Sequence, residues 1–301
     1  MMNYLQLIKY KNLALLAFLQ VILRYGFLKP QNVWQSLNTF QFALLVIATI
    51  SIAGGYYVIN ALFEDSNEFS SLNISETNAY YVYAFLSIIG VVIGMYLSNV
   101  IQKPGFIALF ILTVALGYFQ ATTIKDIFIL GWLIQPLLFS FSFLIIAVFD
   151  LFPATYDQNR EVMTLLFSIL KDYAFFAFVI QLVREIIKET EQSILHTSSS
   201  NASLVKYLGV QKTNYCIAAL LIAPSIYLIY YTLVYLLASN LFLSVLFVSV
   251  AVIAPMLIGG IKIINASESK DYNQVRLLLK YVLILGVLSI ATITYNIQNN
   301  V

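Results

Sequence analysis

The chain has 301 residues, of which 61% are hydrophobic and 10% charged, and its formal net charge is +2. Its mean hydropathy of +0.87 leaves too little polar surface to cover a soluble globule of this length, so a soluble protein is excluded. A net charge this small gives no sign of a nucleic-acid partner. Cys216 is the sole cysteine and His196 the sole histidine, which excludes an internal disulfide, a thiolate metal cluster and a histidine-ligated zinc site.

Long apolar runs predict an all-α, polytopic membrane bundle, since they extend well beyond the alternating segments of an outer-membrane barrel. At about 20 residues per crossing, they predict about nine transmembrane helices in one domain that covers residues 1–301. The first run carries Lys9 and Lys11 and is interpreted as a retained span, not a cleaved signal peptide. The approximate limits of the spans are residues 10–28, 39–63, 79–100, 104–121, 127–149, 161–184, 212–236, 240–264 and 274–295.

Basic residues predict the orientation in a cell (inner) membrane. With nine spans the termini lie on opposite sides, and a cytoplasmic N-terminus gives the positive-inside bias. The connection from Asp150 to Glu161 is then a short outer loop whose charges are predicted to be solvated. The cytoplasmic side collects Lys9, Lys11, Lys125, Arg184, Lys188, Lys206, Lys212, Lys262, Lys270, Arg276 and Lys280, and the other side keeps Lys29, Lys103, Arg160 and Lys171.

Several acidic residues follow directly after the second span. If the run is helical, Asn60, Glu64, Asn67 and Glu68 fall at i, i+4, i+7 and i+8 and share one face. The loop that follows holds no Lys or Arg up to Glu76, although the orientation places it in the cytoplasm. Carboxylates at the mouth of a membrane helix favour a metal-dependent site, and a solvated acidic loop is the alternative.

A second polar stretch follows the sixth span, in the longest cytoplasmic connection, Gln181 to Gly209. One helical strip is mainly basic and the neighbouring strip mainly acidic. The pattern suits either a site for a divalent cation and phosphate oxygens or an ordinary surface helix with i,i+4 pairs. The basic strip carries Arg184, Lys188 and Glu191, and the acidic strip carries Glu185, Glu189 and Gln192.

These two stretches resemble the two acid-rich motifs of the UbiA superfamily of intramembrane prenyltransferases. The resemblance covers most of the chain and is closest to the branch of geranylgeranylglycerol-phosphate geranylgeranyltransferases. It includes the opening K-N-L-A-L-L-A-F-L-Q-V-I-L-R-Y-G, the run L-L-V-I-A-T-I-S-I-A-G-G-Y-Y-V-I-N, the helix end R-E-I-I-K and the late K-D-Y-N-Q-V-R-L-L-L-K-Y-V-L-I-L-G.

The resemblance implies a UbiA-like bundle with a central cavity open to the cytoplasmic side. It implies Mg²⁺-dependent transfer of a prenyl group from a polyprenyl diphosphate to a lipid or aromatic acceptor within the bilayer. The catalytic residues would be Asn60, Glu64, Glu68 and Glu189. The metal ligands would come from Asn60, Glu64, Asp65, Glu68, Glu185, Glu189 and Gln192. The diphosphate would be bound by Lys125, Arg184 and Lys188.

The first motif departs from the family pattern NDxxDxxxD, because Asn60 is followed by Ala61, Glu64 and Glu68. One aspartate is absent and two are lengthened to glutamate, which alters their reach toward an octahedral Mg²⁺. Asp65, one residue beyond Glu64, is the substitute donor.

The second motif departs further from the family pattern DxxDxxGD, with Glu189, Gln192, Leu195 and His196 at those positions. The acids left there are Glu189 and the neighbouring Glu191. Basic segments expected at residues 69–78 and 202–205 are also absent. The alternative function is therefore a catalytically impaired prenyltransferase-like protein that binds an isoprenoid lipid or a partner protein. The sequence indicates neither the acceptor, the prenyl chain length nor the oligomeric state.

Overall fold

The computed structural model describes residues 2–63, 69, 72–127, 129–195 and 204–299. Every regular element in these ranges is helical, and 9 of the helices are long and apolar enough to cross a membrane. The predicted all-α class and the predicted number of spans are confirmed. The spanning helices are α2 (Tyr10–Gln31), α3 (Thr39–Phe63), α4 (Glu76–Val100), α5 (Pro104–Thr122), α6 (Leu130–Ala154), α7 (Arg160–Ile194), α9 (Val210–Leu237), α10 (Phe242–Ile264) and α11 (Ser269–Asn299). The short helices are α1 (Met2–Leu7) and α8 (Leu204–Leu208).

Helix α7 extends furthest past its predicted end, since the predicted span stops at residue 184 and the helix at Ile194. Its polar last turns stay helical because side chains one turn apart bond to each other. Gln181, for example, donates from Nε2 to Glu185 Oε1 at 3.3 Å. The second polar stretch therefore lies on a helix up to Ile194, and Arg184 to Gln192 of the two predicted strips fall within it.

The described chain forms two compact units, and the first comprises Met1–Gln20 and Val33–Ala174. Close packing in this unit depends on two glycines of α4, one turn apart. A Cβ on Gly90 would lie 2.4 Å from Ile52 Cγ1 of α3, and a Cβ on Gly94 would lie 2.4 Å from the ring of Phe110 of α5. Small residues at this spacing let helix backbones approach closely in a membrane.

The loop before α3 is held by a buried carboxylate near the end of α6. Asp150 is 0% exposed, and its Oδ1 accepts a hydrogen bond from the Leu37 backbone N–H at 3.1 Å. The Ser36 N–H donates to the Asp150 carbonyl at 3.0 Å. The prediction of solvated charges is therefore wrong for Asp150, because it supplies acceptors to a loop whose N–H groups need them. Asp157 and Glu161 are exposed, as predicted.

The second unit comprises Val21–Asn32 and Phe175–Val301, and a buried polar group joins α9, α11 and the loop between α10 and α11. Tyr272 is 0% exposed, and its hydroxyl lies 3.0 Å from Asn214 Oδ1 and 3.1 Å from the Ala266 carbonyl. Asn214 Nδ2 donates to the same carbonyl at 3.0 Å. Each buried polar atom of this group has a partner, so the group stabilises its end of the unit.

Candidate functional site

The first unit positions Asn60 and Lys125 at the end of α3. Asn60 is half-buried and lies on the last helical turn. Lys125 follows α5 in a short turn over Ile124–Asp126, and its Nζ donates to the carbonyl of Phe63, the last residue of α3. An ammonium group at a helix C-terminus is favourable because the unpaired carbonyls there carry partial negative charge. The structure thus brings two of the predicted site residues to one helix end.

The remaining acids of the first motif cannot be described in the same way. Glu64, Asp65 and Glu68 lie outside the described residues. Their implied role as metal ligands together with Glu189 stays a prediction.

Tyr56 lies one turn before Asn60 on α3 and was missed by the sequence reasoning. Its hydroxyl donates to Gln135 Oε1 of α6 at 2.9 Å, and its ring centroid lies 5.8 Å from that of Tyr57. A side-chain hydrogen bond between two apolar membrane helices either holds the helices together or belongs to a functional site. The signal available in the sequence is the i,i+4 spacing of Tyr56 and Asn60.

The second unit positions the other predicted residues on the last turns of α7. Arg184 donates from Nη1 to Gln181 Oε1 at 2.7 Å, and Gln181 in turn donates to Glu185. Gln181, which is buried, therefore connects Arg184 of the basic strip to Glu185 of the acidic strip. Lys188, Glu189 and Gln192 are half-buried on the following turns. We call the segment from Gln181 to Gln192 the polar end of α7.

Glu189 is the most distinctive residue of the polar end of α7. Its Oε2 is buried and accepts no hydrogen bond from any residue that the structure describes. Burying a carboxylate oxygen without a donor costs free energy unless a cation is supplied. Glu185 lies one turn earlier, and like charges at this spacing repel each other. The arrangement suits a hard divalent cation such as Mg²⁺, which prefers carboxylate oxygens.

Glu191 has a different role from its neighbour Glu189. Its Oε2 lies 3.3 Å from Arg276 Nη1 of α11, and its Oε1 accepts a hydrogen bond from Ser269 Oγ at 2.9 Å. Both carboxylate oxygens are used within the second unit. Glu191 is one of the acids left near the second motif, and its partners make it a structural link between α7 and α11.

No complete metal site can be assigned within the part of the chain that the structure describes. There, no group of three or more His, Cys, Asp or Glu side chains lies close enough to hold a metal ion. Glu185 and Glu189 by themselves offer fewer oxygen ligands than a bound Mg²⁺ requires.

No protein-family model matches the chain, and no curated protein matches it by sequence. A solved structure does match. It belongs to a digeranylgeranylglyceryl phosphate synthase in membranes, and the similarity has a TM-score of 0.60, covers 98% of each chain and has 17% sequence identity. The chain has the UbiA fold.

The UbiA-like fold that the sequence resemblance implies is thereby confirmed. The two chains are similar over nearly their whole length, so the fold assignment includes α3 and α7, which carry the candidate residues. At 17% identity the similarity concerns the fold alone. The chemistry has to be argued from the contacts of the site residues themselves.

Proposed function

We propose that this protein is an intramembrane prenyltransferase. It would transfer a prenyl group from a polyprenyl diphosphate to a lipid or aromatic acceptor, with Mg²⁺ as cofactor. The UbiA fold supports the general class. The observation that carries the proposal is the buried, unbonded carboxylate oxygen of Glu189 at the polar end of α7.

The reaction breaks the bond between the allylic carbon and the diphosphate oxygen. Diphosphate leaves with the electron pair, the acceptor forms a bond to the allylic carbon, and the acceptor loses a proton. Bound Mg²⁺ would supply positive charge to the leaving diphosphate. Stabilising charge that develops on the leaving group is the main contribution such a site can make.

Asn60, Glu185 and Glu189 are proposed as magnesium ligands on the basis of their oxygen donors, together with Glu64, Asp65, Glu68 and Gln192. Glu189 is the best supported of these, because its Oε2 has no other described partner. The half-buried Gln192 would contribute a neutral carbonyl oxygen.

Lys125, Arg184 and Lys188 are proposed to bind diphosphate oxygens. Lys125 uses one of its three N–H groups on the Phe63 carbonyl, which leaves donors for a phosphate. Arg184 is already oriented by Gln181, and a guanidinium held in this way loses less side-chain freedom when it binds an anion.

The second candidate function is an isoprenoid-binding protein without turnover. The neutral residues Ala61 and Gln192 favour this second function, because the UbiA family that the sequence resembles has an aspartate at each of these positions. Fewer carboxylates weaken Mg²⁺ binding, and the leaving group then gains less stabilisation.

Turnover distinguishes the two functions. The purified protein is incubated in detergent with Mg²⁺, labelled geranylgeranyl diphosphate and a panel of lipid and aromatic acceptors, and diphosphate release is measured. The proposal predicts release that depends on both Mg²⁺ and an acceptor and stops with a chelator. Isoprenoid binding without release, across prenyl chain lengths and acceptors, would favour the second function.

A further inference from the structure

The turn between α5 and α6 carries Lys125, which the proposed function assigns to the diphosphate. Its backbone is unusual, because Ile129, the last residue before α6, has φ 73° and ψ −53°. These dihedral angles are those of the γ-turn with positive φ, which is rare and strained, above all for a β-branched residue. A strained conformation persists only where the surrounding contacts enforce it. The contacts that enforce this one identify what the turn holds in place.

Gly131, in the first turn of α6, packs directly against the backbone of Lys125. A Cβ at Gly131 would lie 2.5 Å from the Lys125 carbonyl oxygen and 3.1 Å from the Lys125 carbonyl carbon. Hard-sphere repulsion forbids such distances, so only a glycine allows this approach. The start of α6 and the Lys125 backbone therefore touch with no side chain of residue 131 between them.

Gln120, on the last turn of α5, fixes the same point from the other side of the turn. Its side chain is buried, and its Nε2 donates to the Gly131 carbonyl. The Gly131 N–H donates to the Ile127 carbonyl at 2.8 Å, so both main-chain polar groups of Gly131 are bonded. A buried side-chain hydrogen bond to the main chain restrains both partners. The end of α5 and the start of α6 are thus joined across the turn that carries Lys125.

These contacts determine where the Lys125 ammonium group lies. Its Nζ donates to the carbonyl of Phe63 at the end of α3, so the side chain extends from a turn held by α5 and α6 to the end of a third helix. A lysine side chain is long and flexible, and it reaches a given point reliably only when neighbouring residues fix its backbone. Gly131 and Gln120 supply that restraint.

We propose that Gly131 and Gln120 are positioning residues for Lys125. Gly131 allows α6 to contact the Lys125 backbone, and Gln120 holds this contact in place from α5. Both residues act through Lys125, so neither has to touch a substrate. The effect on diphosphate binding rests on the proposed function, whereas the position of the Lys125 ammonium group can be tested without any ligand.

Chemical labelling of lysines tests the position of Lys125. The full-length protein is reductively methylated for short times in detergent without Mg²⁺, and mass spectrometry gives the rate at Lys125 relative to that at the exposed Lys103. Gly131→Ala should raise this relative rate about three-fold or more, because a displaced backbone draws Lys125 Nζ away from the Phe63 carbonyl. Gln120→Met keeps the length of the side chain but removes its donor, and it should also raise the rate.

Gly94→Ala is the matched control for Gly131→Ala. Its added Cβ would be as crowded, at 2.4 Å from the ring of Phe110, but Phe110 lies near the start of α5 and Lys125 follows the end of that helix. The relative labelling rate at Lys125 should stay within about two-fold of the wild-type rate. This control separates positioning of Lys125 from a general loss of stability.

Calorimetry of geranylgeranyl thiodiphosphate binding with Mg²⁺ tests the effect on the site. Gly131→Ala and Lys125→Gln should each weaken binding about ten-fold. The double variant should bind no more weakly than Lys125→Gln alone, since residues that act through one group are not additive.

Unchanged labelling of Lys125 in Gly131→Ala and Gln120→Met would overturn the proposal, and so would an equal rise in Gly94→Ala. Losses of affinity that add up in the double variant would also overturn it, because Gly131 would then act on the ligand by another route. A wild type that binds no thiodiphosphate but has the expected labelling pattern would contradict the proposed function and support the positioning of Lys125.

Discussion

Glu189 is the residue on which the proposed chemistry depends most. Glu189→Gln keeps the size of the side chain and removes its charge, so a bound Mg²⁺ would lose an anionic ligand. We expect diphosphate release to fall about 100-fold or more, as for loss of a group that stabilises developing charge. The release assay with labelled geranylgeranyl diphosphate measures the change.

A matched control for Glu189 is Glu268→Gln. Glu268 is exposed in the loop before α11, so the same substitution there should leave release within about two-fold. Comparable losses in the two variants would show that the charge of Glu189 has no special role.

Glu191 should matter for stability and not for chemistry. Glu191→Ala removes the ion pair with Arg276 and the hydrogen bond from Ser269, and we expect a loss of about 1–3 kcal/mol in the free energy of unfolding. Arg276→Ala should have a similar effect. Thermal unfolding in detergent gives both values, and the double variant should lose clearly less than the sum. Strict additivity would contradict a direct interaction.

Single residues show where sequence reasoning reaches its limit. The spacing on α7 was enough to select Glu185 and Glu189, because neighbours one turn apart are visible in the sequence. The different role of Glu191 was not predictable, since its partner Arg276 lies on another helix. The burial of Asp150 could not be predicted for the same reason. The hydrogen bonds that Asp150 accepts come from the backbone N–H groups of residues 36 and 37, which are far from it in the sequence.

At the scale of helices, the apolar runs predicted most boundaries well. The predicted limits of the second span, 39–63, coincide with those of α3, because a long apolar run bounded by polar residues has one way to cross a bilayer. Helix α7 is longer than predicted. Hydropathy indicates which residues lie in the bilayer, and a helix can continue beyond the bilayer into polar residues. Its polar end continues as a helix through side-chain pairs.

The packing of α4 against α3 should be sensitive to added volume. In Gly90→Ala the new methyl group would lie 2.4 Å from Ile52 Cγ1 and 3.1 Å from the Ala48 carbonyl, so the Ile52 side chain or the α3 backbone must shift. We expect a loss of about 1–3 kcal/mol in the free energy of unfolding, seen as a lower unfolding temperature in detergent.

Gly105→Ala is the control for Gly90→Ala. A Cβ at Gly105 meets nothing within 4 Å, so its unfolding temperature should match that of the wild type. An unchanged unfolding temperature in Gly90→Ala would contradict the close approach of α3 and α4.

For the whole molecule, the basic residues predict a cytoplasmic N-terminus and a C-terminus on the opposite side. Protease-cleavable tags at the two termini test this in intact spheroplasts. Protease added outside should remove the C-terminal tag and leave the N-terminal tag in place. Protection of both tags would contradict the predicted orientation.

The number of spans could be predicted because hydropathy sets it, and the fold could be predicted because the sequence resembles the UbiA superfamily over most of its length. Less of the site could be predicted. Departures such as Ala61 and Gln192 remove the acids by which the family motif specifies its metal ligands. The anchoring of α1 was not predictable, because it depends on the hydrogen bond from Asn3 to the Leu72 carbonyl and on the packing of Leu7 against Val58.

Metal-dependent binding of an unreactive prenyl diphosphate tests the central claim most directly. The affinity of geranylgeranyl thiodiphosphate is measured by calorimetry with Mg²⁺ and with a chelator, for the wild type, Asn60→Ala and Glu189→Ala. We predict binding that requires Mg²⁺ and weakens about ten-fold or more in each variant. Binding that is unaffected by the chelator and by both substitutions would contradict the proposed role of these residues in holding the metal and the diphosphate.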